Sequence, residues 1–273
     1  YTTRPSLDDD TKNYVIPATP FNDVLDSLIV NLESVKDDAV RRYYTDESAN
    51  QWQNSCKITR YAIYALLADL YLWKGDWDNS IKYCDMVINY KRQQYDEMIE
   101  REGNVNTIGL FGEIPMLLTK PTGSTNCGSA YNLTFGEGNS FESIFELYFQ
   151  DNQTRQNTWV SNYYGNSNNP VGRLSAPDFL RKDVALGTNI LFKKTDGRAY
   201  ESVEEDASRY LVRKYAYTGV SYTTQNVTDE KSLKLATSMR ANSYANWIFY
   251  RLSDMLLIKA EALIQRSPED YPA

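Results

Sequence analysis

Histidine is absent from this 273-residue chain, and that absence excludes more than any residue present. Without an imidazole there is no Ser-His-Asp or Cys-His nucleophile, no histidine-based zinc site and no ordinary acid or base near neutral pH. Cysteine is scarce too: Cys56, Cys84 and Cys127 are too few and too widely spaced for a disulfide framework or a thiolate metal cage. Cys84 falls in a helical pattern and reads as core packing. No apolar run approaches the roughly 20 residues of a membrane span. Basic clusters are also missing. The formal net charge is -7 and the basic residues are scattered, which makes a phosphate backbone a poor ligand, so no nucleic acid partner is expected. Neither a metal nor a cofactor is expected.

Aromatic residues are what the chain has in excess. It holds 22 Tyr and 5 Trp, many of them in segments rich in Asn and Gly rather than in periodic ones. Exposed rings beside amides suit a neutral polar ligand with apolar faces, such as a sugar. Hydrophobic residues at 42% and charged residues at 24% are those of a globular protein. A chain of this length buries about 70 to 75% of its unfolded surface, so its stability needs no cross-links.

Residues 1–18 show no helical period. Thr19-Pro20 then supplies an N-cap followed by proline at the first helical position. Phe21, Val24, Leu25, Leu28, Ile29, Leu32 and Val35 follow at the spacing of one buried helix face. Residues 36–56 are a polar connection. From Ile58 the helical pattern returns and runs to Lys74, where Gly75 stops it and Asp76 caps a second helix predicted to end near Tyr90. Set against the tetratricopeptide template of about 34 residues, Tyr64, Leu67, Ala68, Tyr71, Ser80, Cys84 and Val87 take its packing positions, with Ser80 for the usual alanine. Residues 58–90 thus form one hairpin of that type, and only the stretch around Ala260-Glu261-Ala262 resembles half of another.

Residues 103–245 read as a loop-rich region. Gly and Pro punctuate 103–140, residues 140–149 form a short apolar strand or helical turn, and 151–170 are rich in Asn with no regular element expected. Residues 246–266 read as a single buried helix. Its apolar residues spread around nearly the whole circumference, with Arg251, Asp254 and Glu261 in one narrow arc as an internal polar seam.

Four segments together resemble the SusD/RagB family of outer-membrane nutrient-binding lipoproteins. They are the helix at 20–32, the hairpin with Tyr61-Ala62-Ile63-Tyr64-Ala65-Leu66-Leu67-Ala68 and Gly75-Asp76, the element Asn139-Ser140-Phe141-Glu142-Ser143-Ile144-Phe145-Glu146, and Tyr250-Arg251-Leu252-Ser253-Asp254-Met255-Leu256-Leu257 leading to Ala260-Glu261-Ala262. Arg213-Lys214-Tyr215 precedes the last, where the family often has Lys-Tyr. The resemblance implies a mainly α fold, a tetratricopeptide-like helical scaffold with a long loop-rich insertion, over 1–273 as a single SusD-like domain incomplete at both ends. It also implies a cell-surface lipoprotein of the outer membrane, with the lipidated N-terminus outside this chain. Such a protein captures glycans, or peptides in some branches, and passes them to a SusC-like TonB-dependent transporter without catalysis.

Sugar recognition needs a flat apolar surface for the ring's C–H face and fixed groups for its hydroxyls. Residues 155–164 supply both. Trp159 with Tyr163 or Tyr164 are the expected stacking platforms, and Arg155, Asn157 and Asn162 the expected hydrogen-bonding groups. The competing possibility is that these aromatics anchor a long loop to the scaffold. Trp73 and Trp77 are expected to staple the hairpin, and Tyr43, Tyr44 and Trp52 form a weaker second surface. The acidic run at 201–206 reads as a solvated face. Two alternatives remain: a tetratricopeptide scaffold gripping a protein or peptide, and a carboxylate-based glycosidase using Glu113 and Glu137.

Overall fold

The computed structural model describes residues 17–44, 51–124, 128–151, 155–177, 201–206, 209–219 and 239–268. Cys127 lies outside them. The architecture is mainly α: helices build the scaffold and short strands occur between them.

Helix α1 (Phe21–Val35) starts one residue later than the Thr19-Pro20 signal predicts, with Pro20 itself in the N-cap position and its carbonyl accepting from Val24. Leu25 and Ile29 are buried, and Leu28 and Leu32 pack against the same core. A single turn, α2 (Gln53–Cys56), follows the polar connection. The Asn54 carboxamide closes that connection, accepting from the N–H groups of Tyr43 and Tyr44 at 2.7 and 3.0 Å and donating to the Tyr44 carbonyl at 2.8 Å.

Helix α3 (Arg60–Lys74) begins at Thr59, whose side chain accepts from the Ala62 N–H. It ends at Gly75, which takes the left-handed conformation at φ 79° that a side chain would resist. Asp76 then caps helix α4 (Trp77–Glu102) by accepting from the Asn79 N–H. The turn is as short as the sequence predicts, but α4 runs twelve residues beyond Tyr90 to Glu102. No Gly or Pro interrupts it before Gly103, and Tyr95, Met98 and Ile99 find a second small core with Val105, Ile108 and Leu117.

Within the hairpin Leu67, Ala68, Tyr83, Cys84 and Val87 are fully buried. Ser80 stands in the position of the template's alanine because its hydroxyl has a partner, the Ala68 carbonyl at 2.8 Å. Helix α1 is joined to the hairpin by Glu33, whose carboxylate accepts from Tyr71 at 2.9 Å and Tyr83 at 2.6 Å. Trp73 does not staple the two helices as expected. It is 67% exposed, and its ring meets Phe21 of α1 edge-on at 6.1 Å.

The next segment forms an antiparallel hairpin, β1 (Ile108–Phe111) with β2 (Ile114–Leu117), then one turn of helix, α5 (Ser129–Tyr131), and a π-helical turn (Asn132–Glu137). Strand β3 (Ser143–Leu147) resolves the strand-or-turn ambiguity at 140–149. Further on come α6 (Thr158–Tyr164), the pair β4 (Val203–Asp206) and β5 (Arg209–Val212), β6 (Trp247–Arg251), and α7 (Leu252–Arg266). The acidic run therefore contributes backbone to a strand pair.

The predicted single helix at 246–266 is a strand followed by a helix. Trp247, Ile248, Phe249 and Tyr250 are aromatic or β-branched and pair antiparallel with β3, from Trp247 opposite Leu147 to Arg251 opposite Ser143. Helix α7 then starts with the Arg251 N–H donating to Asp254 Oδ2 at 2.9 Å, which is how an acidic side chain three residues in satisfies an otherwise orphaned donor. No polar seam forms. The Arg251 guanidinium lies over the Phe135 ring at 5.4 Å, Asp254 caps, and Glu261 is exposed. Leu252, Met255 and Ala262 are fully buried, while Leu257 is 69% exposed. Lys259 pairs with Asp85 at 2.6 Å and Arg266 with Asp78 at 3.0 Å, so α7 runs antiparallel to α4.

Candidate functional site

The Asn-rich stretch expected to lack regular structure contains α6, and the way this helix is held defines the site. Its N-terminal flank is pinned by Asn157. The Asn157 N–H donates to the Ser243 carbonyl at 2.6 Å and its side-chain Nδ2 donates to the Ala245 carbonyl at 3.1 Å. Its C-terminal end is pinned by the N–H of Leu174 donating to the Tyr163 carbonyl at 2.9 Å. Between them Val160 is buried against Tyr215, Ala216, Tyr217 and Ala245. A seven-residue helix is too short to hold by itself in water, so these tertiary contacts are what keep it.

Fixing one face of α6 leaves the other to solvent. Trp159 and Tyr163 are four residues apart, one above the other on a helix, and their rings stack at 4.2 Å between centroids with 26° between planes. Tyr164 meets Trp159 edge-on at 5.8 Å, and Trp247 of β6 meets it at 5.5 Å. Trp247 in turn stacks on Tyr215 at 5.0 Å, which meets Phe135 at 5.2 Å. A continuous aromatic file thus runs from the interior to Trp159, which remains 46% exposed. Burial pushes the Tyr164 hydroxyl above the ordinary tyrosine range.

The structure brings the three expected rings together but separates the expected polar residues. Arg155 is exposed three residues ahead of α6 and Asn162 is exposed within it, whereas Asn157 is buried with its amide committed to Ala245. Two contributors escaped sequence reading. Trp247 falls within the buried helix that the sequence predicts, and only the strand pairing with β3 turns it toward Trp159. Arg240 lies in no motif, yet it is buried and donates to the carbonyls of Tyr215 at 3.3 Å and Phe135 at 3.1 Å, with a further bond to Gly136. Its guanidinium lies 4.2 Å over the Tyr244 ring. It is the bracket behind the aromatic file. Lys214 lies over Phe135 at 4.5 Å. Burial, with Arg251 adding to it and Asp254 opposing, holds its ammonium below the usual lysine range.

Glu113 sits on the exposed turn between β1 and β2, and Glu137 at the exposed end of the π-helical turn. Among the described residues no group of three or more Cys, Asp or Glu is placed to hold a metal ion, and no helix is long and apolar enough to cross a membrane.

No family profile matches this chain and no curated protein matches it. Solved structures do. A SusD-like carbohydrate binding protein from Bacteroides vulgatus ATCC 8482 aligns with 94% of this chain and 42% of its own at 14% identity, with a TM-score of 0.49. The chain is similar to SusD-like proteins. A protein solved with xylogluco-oligosaccharide aligns with 94% of this chain and 48% of its own at 16% identity and a TM-score of 0.48. Surface glycan-binding protein A from Bacteroides uniformis aligns with 90% of this chain and 46% of its own at 16% identity and a TM-score of 0.44. The chain spans less than half the length of these solved structures.

Proposed function

We propose that this chain is part of a SusD-like, cell-surface glycan-binding protein that captures oligo- or polysaccharide without catalysis and passes it to a SusC-like TonB-dependent transporter. The observation that carries the reading is the exposed Trp159 ring, stacked on Tyr163 and backed by Trp247. A rigid, half-exposed indole loses little entropy on binding and offers the flat apolar surface that a pyranose C–H face needs. Arg155, three residues ahead of α6, and Asn162 within it are both exposed, and they are the groups proposed to meet hydroxyls. Asn157 contributes by positioning the helix. The motifs at 61–72, 139–146 and 250–262 support the family assignment, and through it the transporter partner and the outer-membrane location.

The test is polysaccharide retention in native affinity gels, run with the wild type and with Trp159→Ala across a panel of glycans. Loss of retention in a variant that melts like the wild type supports the reading. Retention unchanged by that substitution sinks it.

A further inference from the structure

Strands β3 and β6 form a two-stranded sheet whose two faces differ. The inner face carries Ile144 and Glu146, both buried, with Ile248 opposite Glu146. On the outer face Leu147 stands directly opposite Trp247, and Phe249, two residues along β6, points the same way. The register shifts on either side of Phe145, and its ring stacks on that of Phe249 at 5.4 Å with 25° between planes. Phe249 is 48% exposed and Leu147 45%. Trp247 carries this face to α6, since its ring meets that of Trp159 at 5.5 Å. Phe249, Leu147 and Trp159 are therefore exposed parts of one apolar surface rather than scattered residues.

The size of this surface limits what it can hold. Three side chains about half exposed offer roughly 300 Å², against the about 800 Å² per partner that a stable protein interface buries. The surface is also long. Residues two apart on a strand lie about 7 Å apart, and with the step from Trp247 to Trp159, Phe249 lies on the order of 12 Å from Trp159. One pyranose ring does not cover that distance.

Among the side chains of Phe145, Leu147, Trp247 and Phe249 the indole N–H is the only hydrogen-bonding group. A sugar chain lying on them therefore needs an unbroken C–H face. A glucan whose linkages and hydroxyls are all equatorial has one, because its axial positions hold only hydrogens and its chain is a flat ribbon with the hydroxyls along its edges. An axial linkage, as in the malto series, curls the chain away from a flat surface. At the Trp247 end the two segments run on side by side beyond the sheet. There the Phe149 N–H donates to Asn246 Oδ1 at 3.1 Å, and Asn242 Nδ2 to Asp151 Oδ1 at 2.9 Å. Asp151 and Asn242 are both exposed, a polar pair suited to edge hydroxyls.

We infer that the outer face of β3 and β6 extends the Trp159 platform into a strip for a flat, all-equatorial glucan chain, with Phe249 and Leu147 as a further subsite. The inference rests on the reading of α6 as the sugar platform, and it adds that chain length and linkage decide affinity.

Calorimetric titration of the whole chain with cellohexaose, cellobiose and maltohexaose tests this. Cellohexaose is expected to bind saturably, and cellobiose and maltohexaose each about tenfold more weakly or worse. Phe249→Ala is expected to weaken cellohexaose about tenfold and to leave cellobiose unchanged. Leu147→Ser, on the same exposed face, is expected to act in the same direction. Trp159→Ala is expected to weaken both cello-oligosaccharides. If Trp159→Ala weakens cellohexaose and neither Phe249→Ala nor Leu147→Ser does, the strip is wrong and the α6 platform stands. If Trp159→Ala changes nothing, the platform fails and the strip with it. Absence of saturable cellohexaose binding, equal binding of maltohexaose, or dimerisation in sedimentation velocity that Phe249→Ala abolishes overturns the inference. The last result would assign the face to a second copy of the chain.

Discussion

Asn157 Nδ2 donates to the carbonyl of Ala245 across 88 positions of sequence, at 3.1 Å. That bond joins the start of α6 to the segment leading into β6, and so brings Trp159 beside Trp247. Replacing Asn157 with alanine leaves the buried Ala245 carbonyl short of a donor, at a cost of about 1 to 3 kcal/mol. Urea denaturation should show that loss. Glycan retention should fall with it even though Asn157 itself is buried. Asn162→Ala, on the exposed side, should weaken retention without moving the urea midpoint.

Asp254 should matter as a helix cap. Asp254→Ala removes the acceptor for the Arg251 N–H and should cost about 0.5 to 2 kcal/mol. Asp254→Asn keeps an acceptor and should lose less. Equal losses in the two variants would argue against the cap.

Glu33 should make the scaffold sensitive to acid. Burial works to raise its pKa, but the hydrogen bonds from Tyr83 and Tyr71 and the charge of Lys36 hold it below the ordinary glutamate range. A carboxylate with a lowered folded pKa adds stability above its unfolded pKa, and that stability is lost as pH falls through the folded value. Glu33→Gln should therefore be less stable than the wild type at neutral pH, with the gap closing below about pH 4.5. Thermal melts across pH 3 to 7 would show a constant gap if Glu33 were idle.

Lys91 should make stability rise with pH in a second, alkaline window. Burial lowers its folded pKa from 10.5 to about 8, so between those values the unfolded chain holds the proton more tightly and stability rises with pH. A neutral amine still has two N–H groups for the Phe141 and Ser143 carbonyls. The stability of the wild type should rise relative to that of Lys91→Met from pH 8 to pH 10.5. A flat difference would mean that the ammonium is not desolvated.

Much of the helical scaffold was legible because its signals are local. The period from Phe21 to Val35, the Gly75 stop and the Asp76 cap each act within a few residues, and all appear where the sequence puts them to within one position. Ser80 and Cys84 were readable as packing positions for the same reason. The end of α4 was not, since nothing between Tyr90 and Gly103 breaks a helix and continuation rests on a second core with Ile108 and Leu117.

Residues 247–264 mark where local reading ends. Aromatic and β-branched residues placed around a helical wheel look like a buried helix, and the same residues suit a strand. The partner decides between them, and that partner, β3, lies about a hundred residues earlier. Likewise the rings at Trp159, Tyr163 and Tyr164 were visible as composition, but a seven-residue helix has no stability of its own to announce.

The sequence by itself determined the helical class, the hairpin, the exclusion of histidine chemistry and the segment that carries the exposed rings, because these depend on residue type and near-neighbour spacing. Tertiary structure decided which side of α6 faces outward, that Trp247 joins Trp159, that Arg240 braces them, and that Leu147 and Phe249 share a face with Trp247. Those relationships join residues far apart in the chain, and burial and hydrogen-bond satisfaction select them only once the whole chain has packed.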